Sequence, residues 1–357
     1  MTTIFMCKNT VKKIVDCHLG RTEGLYKRAL DHYIVPIVIT EVIKAIHNIK
    51  PEAKLFCGVQ RQIREGKAVL LHDVITDEED AQVYRETIEL GKRNDHSSQS
   101  IAVSYKNGLS LTYEQLTTLG PGRWLNDQII NAYISMICEE RNSYEHGEVT
   151  MSMGTHFFAK IEQELRGNGA SAGSKELPPL QFNSGILRWL KRRQHILFPG
   201  KTRIILVPIN LSQTHWALAA LNWENKTWVY YDSYIHGEAT ISRGKYILRQ
   251  LAHTFSEARR ILCNDHNISE VNHWHLCVAK PSHARLSTEI KDFLFAPQQQ
   301  NMFDCGVFVC YFAWCLVNNV APSFTQDDVT ILRRVMVHEL LLKKSLRRLP
   351  MCFFTNP

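Results

Sequence analysis

A chain of 357 residues can bury a sizeable core and has room for two domains. Its 45% hydrophobic and 22% charged content is ordinary for a soluble globular protein, and no internal repeat or long low-complexity tract speaks for a fibrous or wholly disordered chain. The net charge of +7 is modest, and without a basic stripe interleaved with aromatics no nucleic-acid partner is expected.

The amino terminus, "MTTIFMCKNTVKKIVDCHLG", carries charges where a signal peptide would need an uninterrupted apolar run, so no leader is expected. Ten cysteines in a chain without a leader are then reduced thiols rather than a disulfide framework. Residues 1–69 include the apolar "YIVPIVITEVIKAIHNI", in which Pro36 interrupts any single long helix. They are expected to form an accessory region, with the catalytic unit spanning 70–357. From residue 77, "TDEEDAQVYRETIELGKR" has acids in its first turn and bases in its last, which predicts a helix.

A polar connector at 94–100 leads to strand-like "IAVSY", a turn at Asn107–Gly108, and "RWLNDQIINAYISMICEER" with helical apolar spacing from Leu125 to Cys138. The stretch 166–179, "RGNGASAGSKELPP", reads as a flexible insertion before a short helix near 186–193. "RIILVPINL" and "HWALAALNW" predict buried strands, and "TWVYYDSY" pairs with the second through a turn near Asn225. Residues 263–277 contain Cys263, His266, His273, His275 and Cys277, but the spacing matches no common zinc finger. A loop followed by an edge strand is expected there, with no metal. The uncharged run 305–321 is about a turn short of a comfortable membrane span and predicts a buried helix. "TQDDVTILRRVMVHELLLKKSL" predicts a last amphipathic helix, and the basic runs at 190–194 and 341–348 read as solvated faces. Strands among helices without regular alternation indicate an α+β domain.

Three cysteines fall in "PQQQNMFDCGVFVCYFAWC" (297–315), and position separates them. Cys305 opens the apolar helix, where unpaired N–H groups and the helix dipole favour a thiolate. Cys310 and Cys315 lie inside it, where burial favours the neutral thiol. A nucleophilic thiol needs a base and a group to orient that base. The hairpin brings His215 and Asp232 within two to four residues of register, roughly 7–13 Å along the strands at ~3.3 Å per residue. A modest bend closes that distance, so Cys305, His215 and Asp232 can form a triad. Donors for an oxyanion are available from the "QQQN" amides and the Cys305 N–H, and spacing does not choose among the glutamines.

In this order, "RWLNDQIINAYISMI", "HWALAALNW…YYDS" and "PQQQNMFDCGVFVC" resemble the ubiquitin-like-protein-specific cysteine proteases, particularly their SUMO-specific (sentrin-specific) branch. The resemblance covers about residues 70–350. It implies a papain-like α+β fold in which helices and a mixed sheet enclose a cleft. It also implies Cys305 as nucleophile, His215 as base and then acid, Asp232 as its orienter, and Gln299 as the oxyanion-hole glutamine. Trp124 and Trp216 match the pair that sandwiches a Gly-Gly tail, while Asn126 and Asp127 cap or anchor the helix entry. The implied reaction is cleavage after the Gly-Gly of a SUMO-like modifier by a monomer that needs no cofactor and no membrane span. The implied location is intracellular, in the nucleus or at its rim, with the cytoplasm as the other choice. Three other readings stay open: a protease for a different ubiquitin-like modifier, acyl transfer from acetyl-coenzyme A on the same fold, and a catalytically silent SUMO-binding scaffold.

Overall fold

The computed structural model describes residues 78–144, 149–170, 176–198, 200–263, 274–282, 294–319, 322 and 324–345. The accessory region 1–69, residues 171–175 of the insertion, and His266 and His273 lie outside the described residues.

The predicted first helix is α1, Glu78–Lys92. The expected strand at 101 is β1, Ile101–Ser104, paired antiparallel with β2, Ser110–Thr112. Gly108 takes a positive φ of 86° between them, a conformation that costs glycine nothing. Helix α2, Tyr113–Leu116, starts with a reciprocal capping box between Thr112 and Gln115. Helix α3, Asp127–Tyr144, begins two residues after Leu125 because Asn126 caps it: the Ile129 N–H donates to Asn126 Oδ1 at 2.9 Å.

A five-stranded mixed sheet is the centre of the molecule. It comprises β3 (Val149–Ser152), β4 (Thr202–Leu211), β5 (His215–Asn222), β6 (Thr227–Tyr231) and β7 (His275–Val278), side by side in that order. The three inner strands are antiparallel neighbours, and each edge strand runs parallel to the strand beside it. The predicted edge strand near 275 is β7. Between these strands come α4 (His156–Gly167), α5 (Gly185–Lys191) and the long α6 (Gly237–Cys263). A short parallel pair follows, β8 (Lys280–Ser282) with β9 (Phe295–Pro297), and then α7 (Cys305–Val317) and α8 (Val329–Leu342).

Strand alternation divides the core in two. Trp216, Leu218 and Ala220 of β5 share one apolar cluster with α3, α7 and α8, while Ala217, Ala219 and Leu221 share the other with α4, α5 and α6. Helix α7 is apolar on every side, and twelve of its residues from Cys305 to Val317 are buried, as such a pattern requires. Cys310 and Cys315 are buried within it. Cys263 packs with one cluster and Cys277 with the other, so that spacing does not bring these two sulfurs to one centre. The last helix is shorter than its amphipathic pattern. Asp327 and Asp328 sit in a 3-10 turn ahead of it, where Asp328 Oδ2 accepts from the Thr325 N–H at 2.8 Å. Lys343, at φ 55°, ends it in a left-handed turn.

Candidate active site

The strand register sets the base beside its orienter. Leu218 faces Tyr231 across the hairpin, so Asp232 follows the end of β6 while His215 begins β5. The chain bends after Tyr231, and His215 Nε2 meets Asp232 Oδ1 at 2.6 Å. Asp232 is 1% exposed, and its second oxygen accepts from the Tyr230 hydroxyl at 3.0 Å. The Tyr234 N–H also donates to Oδ1 at 2.9 Å. Burial first, and then the carboxylate charge, push the Tyr230 hydroxyl well above its ordinary range, so it stays a donor.

Helix α7 packs on the Trp216 face, with its amino terminus at the rim of the sheet. Cys305 is its first residue, and its sulfur lies near enough to His215 to favour the protonated imidazole. With Nε2 held by Asp232, Nδ1 is the ring nitrogen left for the sulfur. Burial alone would lower the imidazole pKa, but the hydrogen bonds and charges of Asp232 and Cys305 outweigh it and push the group up to about 9. The Cys305 N–H is among the helix's first four, which have no partner within the helix.

The loop ahead of Cys305 holds two buried glutamines with different tasks. Gln298 braces the Asp232 turn: Nε2 donates to the Asp232 and Ala296 carbonyls at 3.0 and 2.9 Å, and Oε1 accepts from the Ile235 N–H at 2.8 Å. Gln299 accepts from the Ser233 hydroxyl at 2.7 Å and gives one Nε2 hydrogen to the Asn301 carbonyl. An amide nitrogen carries two hydrogens, so the second is chemically available to an oxyanion. Asn301 Oδ1 accepts from the N–H groups of Phe303 and Asp304, both at 3.1 Å, which shapes the turn into α7.

Trp216 is buried, and its Nε1 donates to the Leu125 carbonyl at 3.1 Å. Trp124, one residue earlier, remains 48% exposed. Leu125 packs against Gly306: a Cβ there would lie 2.7 Å from Leu125 Cβ. The Trp124 segment is thus tied both to the hairpin and to the start of α7. The six residues singled out for the triad, the oxyanion and the tryptophan pair occupy these three linked segments; of the two expected at the helix entry, Asn126 caps α3 and Asp127 approaches exposed His156 at 3.4 Å. Sequence reasoning missed Tyr230, Gln298, Asp304 and Arg333. Asp304 Oδ1 accepts from Arg333 Nη2 at 2.6 Å, and both residues are buried.

Residues 123–344 match the Ulp1 protease family, C-terminal catalytic domain. Ubiquitin-like-specific protease 1 of Saccharomyces cerevisiae is 25% identical over 266 residues, 71% of this chain and 34% of that protein. Human sentrin-specific protease 2 is 29% identical over 246 residues, 69% of this chain and 34% of its own length. The chain therefore spans about a third of the length of these curated relatives. A structure of the SUMO protease Ulp1 with its catalytic cysteine oxidised to a sulfonic acid superposes with a TM-score of 0.54 at 25% identity, covering 76% of this chain and 97% of that one. The Ulp1 protease domain in complex with Smt3, the yeast orthologue of SUMO, gives 0.53 at 24% identity over 76% and 97%, which speaks for the fold. The mixed sheet flanked by helices agrees with the expected α+β class. Among the described residues no helix is long and apolar enough to cross a membrane.

Proposed function

The chain belongs to the Ulp1 protease family, and from that membership we propose that it is a cysteine protease and isopeptidase that cuts after the carboxy-terminal Gly-Gly of a SUMO-like modifier. The observation that carries this reading is the imidazole of His215 held by Asp232 at 2.6 Å, with Cys305 near enough to help raise its pKa. A buried thiol and a buried carboxylate on opposite sides of one imidazole are what nucleophilic acyl transfer requires.

In the proposed reaction the tail threads between Trp124 and Trp216, whose flat rings admit residues without side chains. His215 holds at Nδ1 the proton that Cys305 has given up, and the sulfur adds to the carbonyl of the terminal glycine. The oxyanion is held by Gln299 Nε2 and the Cys305 N–H. The tetrahedral centre collapses as His215 gives its proton to the departing lysine amine, which leaves a thioester. Water then attacks, His215 accepts its proton and returns it to the sulfur, and the free modifier departs. No cofactor enters this sequence.

The catalytic unit in this proposal is 70–357, with 1–69 accessory to it, and the protein acts as a monomer. Family habit assigns it to the nucleus or nuclear rim, which imaging of the tagged chain tests. The enzymatic test is incubation with modifiers that carry a carboxy-terminal electrophile. A covalent adduct at Cys305 with a SUMO-type probe, absent in Cys305→Ala, is expected. Folded protein that labels with no probe would overturn the reading, and labelling by a ubiquitin-like probe other than SUMO would reassign the substrate.

A further inference from the structure

Trp124 and Cys305 are far apart in the chain, yet a single side chain touches the residues next to both. Arg333 lies within α8 and is 3% exposed. Toward the nucleophile, its Nε and Nη2 donate to Asp304 Oδ1 at 3.0 and 2.6 Å, and Nη2 reaches the Phe303 carbonyl at 3.4 Å. Toward the tryptophan, Nη1 donates to the Thr118 and Gly120 carbonyls, both at 3.0 Å, and Nη2 to the Arg123 carbonyl at 2.7 Å. The Arg123 carbonyl carbon is bonded to the Trp124 nitrogen, and Asp304 is bonded to Cys305. One rigid planar fork therefore spans the peptide before the tunnel wall and the peptide before the nucleophile.

Stability alone does not call for such a group. A buried ion pair is often no more stabilising than apolar side chains of the same volume. Residues 120–126, which these bonds anchor, have no ladder of their own between the 3-10 turn Thr117–Leu119 and α3. Asp304, for its part, makes no side-chain cap to α7. Its second oxygen accepts instead from Asn301 Nδ2 at 2.6 Å and Gln326 Nε2 at 2.8 Å. The carboxylate is thus oriented for Arg333 rather than for the helix.

We propose that Arg333 is a positioning residue that holds the Trp124 wall at a set height above the Cys305 sulfur, and so fixes how far a di-glycine tail must thread before its carbonyl reaches the nucleophile. This rests on the protease reading given above.

The test compares two reactions of Cys305 in the full chain bearing Arg333→Lys. Lysine is a point donor that can keep the charge beside Asp304 but cannot also bind the 118–123 carbonyls. A SUMO probe with a carboxy-terminal electrophile must pass the tryptophans; iodoacetamide, followed by mass spectrometry of the Cys305 peptide, need not. Probe labelling is expected to slow on the order of 10²-fold, the cost of about a 1 Å misplacement, while alkylation of Cys305 keeps the parental rate. An equal fall in both rates would reduce Arg333 to a fold-holding residue, and unchanged probe labelling would remove it from the site; either overturns the proposal. If R333K does not fold, the same comparison is made on D304N/R333M, which leaves no unpaired buried ion. Wild-type protein that fails to label sinks the protease reading itself, so the two failures are told apart.

Discussion

His215 carries its proton further up the pH scale than a free imidazole, and the sign of the consequence follows from linkage. The unfolded side chain titrates near 6.5 and the folded one near 9. Between those values the folded state binds the extra proton, so this stabilisation is complete below about pH 6.5 and is lost as the pH rises through about 9. Urea midpoints are expected to fall across that window, by an amount on the order of 3 kcal/mol at most, and His215→Gln should flatten the slope. Asp232→Asn keeps the shape but removes the charge that favours the imidazolium. It is expected to slow probe labelling on the order of 10⁴-fold, the size of loss seen when a triad aspartate is neutralised. The imidazole resonance of that variant should titrate lower than in the parent, and an unchanged titration would contradict the role given to Asp232. The three positions of the proposed triad are legible in the sequence because each stands at a local landmark: a helix start or a strand end. Arg333 is not, since a basic residue in a helix with acids before it and lysines after it reads as solvated until the segment packed over it is known. Gln298 and Gln299 have the same side chain and share neighbours, so only their bonds separate the brace of the Asp232 turn from the residue beside Ser233.

Two helices approach the site so closely that a glycine is needed at each contact. At Gly306, where α7 meets Leu125, a methyl group would sit 2.7 Å from Leu125 Cβ. Overpacking of this kind costs about 1–3 kcal/mol, and because Leu125 follows Trp124, Gly306→Ala should lower both the denaturation midpoint and the probe rate. Gly244 in α6 faces the Tyr230 ring, where a Cβ would fall 2.6 Å from Cδ1. Gly244→Ala is expected to displace the ring whose hydroxyl holds Asp232, and so to lower activity from a helix that supplies none of the triad. A Gly244→Ala protein with parental rate and stability would show that the ring moves freely. Sequence periodicity disclosed the strands and the apolar helix well, since their patterns are local. It overran the start of α3, where Asn126 caps the helix, and both ends of α8, where a 3-10 turn braced by Asp328 precedes the helix and the left-handed Lys343 ends it.

The sheet separates two cores with different duties. On the face away from α7, Phe255 is fully buried and meets Trp228 edge-on at 5.3 Å between ring centres. Phe255→Ala is expected to cost about 3–5 kcal/mol, read as a shift in the urea midpoint, while probe labelling per folded molecule stays at the parental value. A comparable truncation on the other face should disturb both. The class of fold was legible from the irregular alternation of strands and helices; the order of strands in the sheet was not, because it depends on long-range pairings such as β3 with β4 that no local pattern encodes. The layout also gives the site a history. A ribosome delivers the hairpin with base and carboxylate first, then the thiol, and the guanidinium of α8 last, at about 5–20 residues per second. A nascent chain thus holds the proposed base and carboxylate, two of the three triad members, for seconds before the sulfur can be docked, so a product interrupted before Cys305 lacks the nucleophile that the proposed reaction needs.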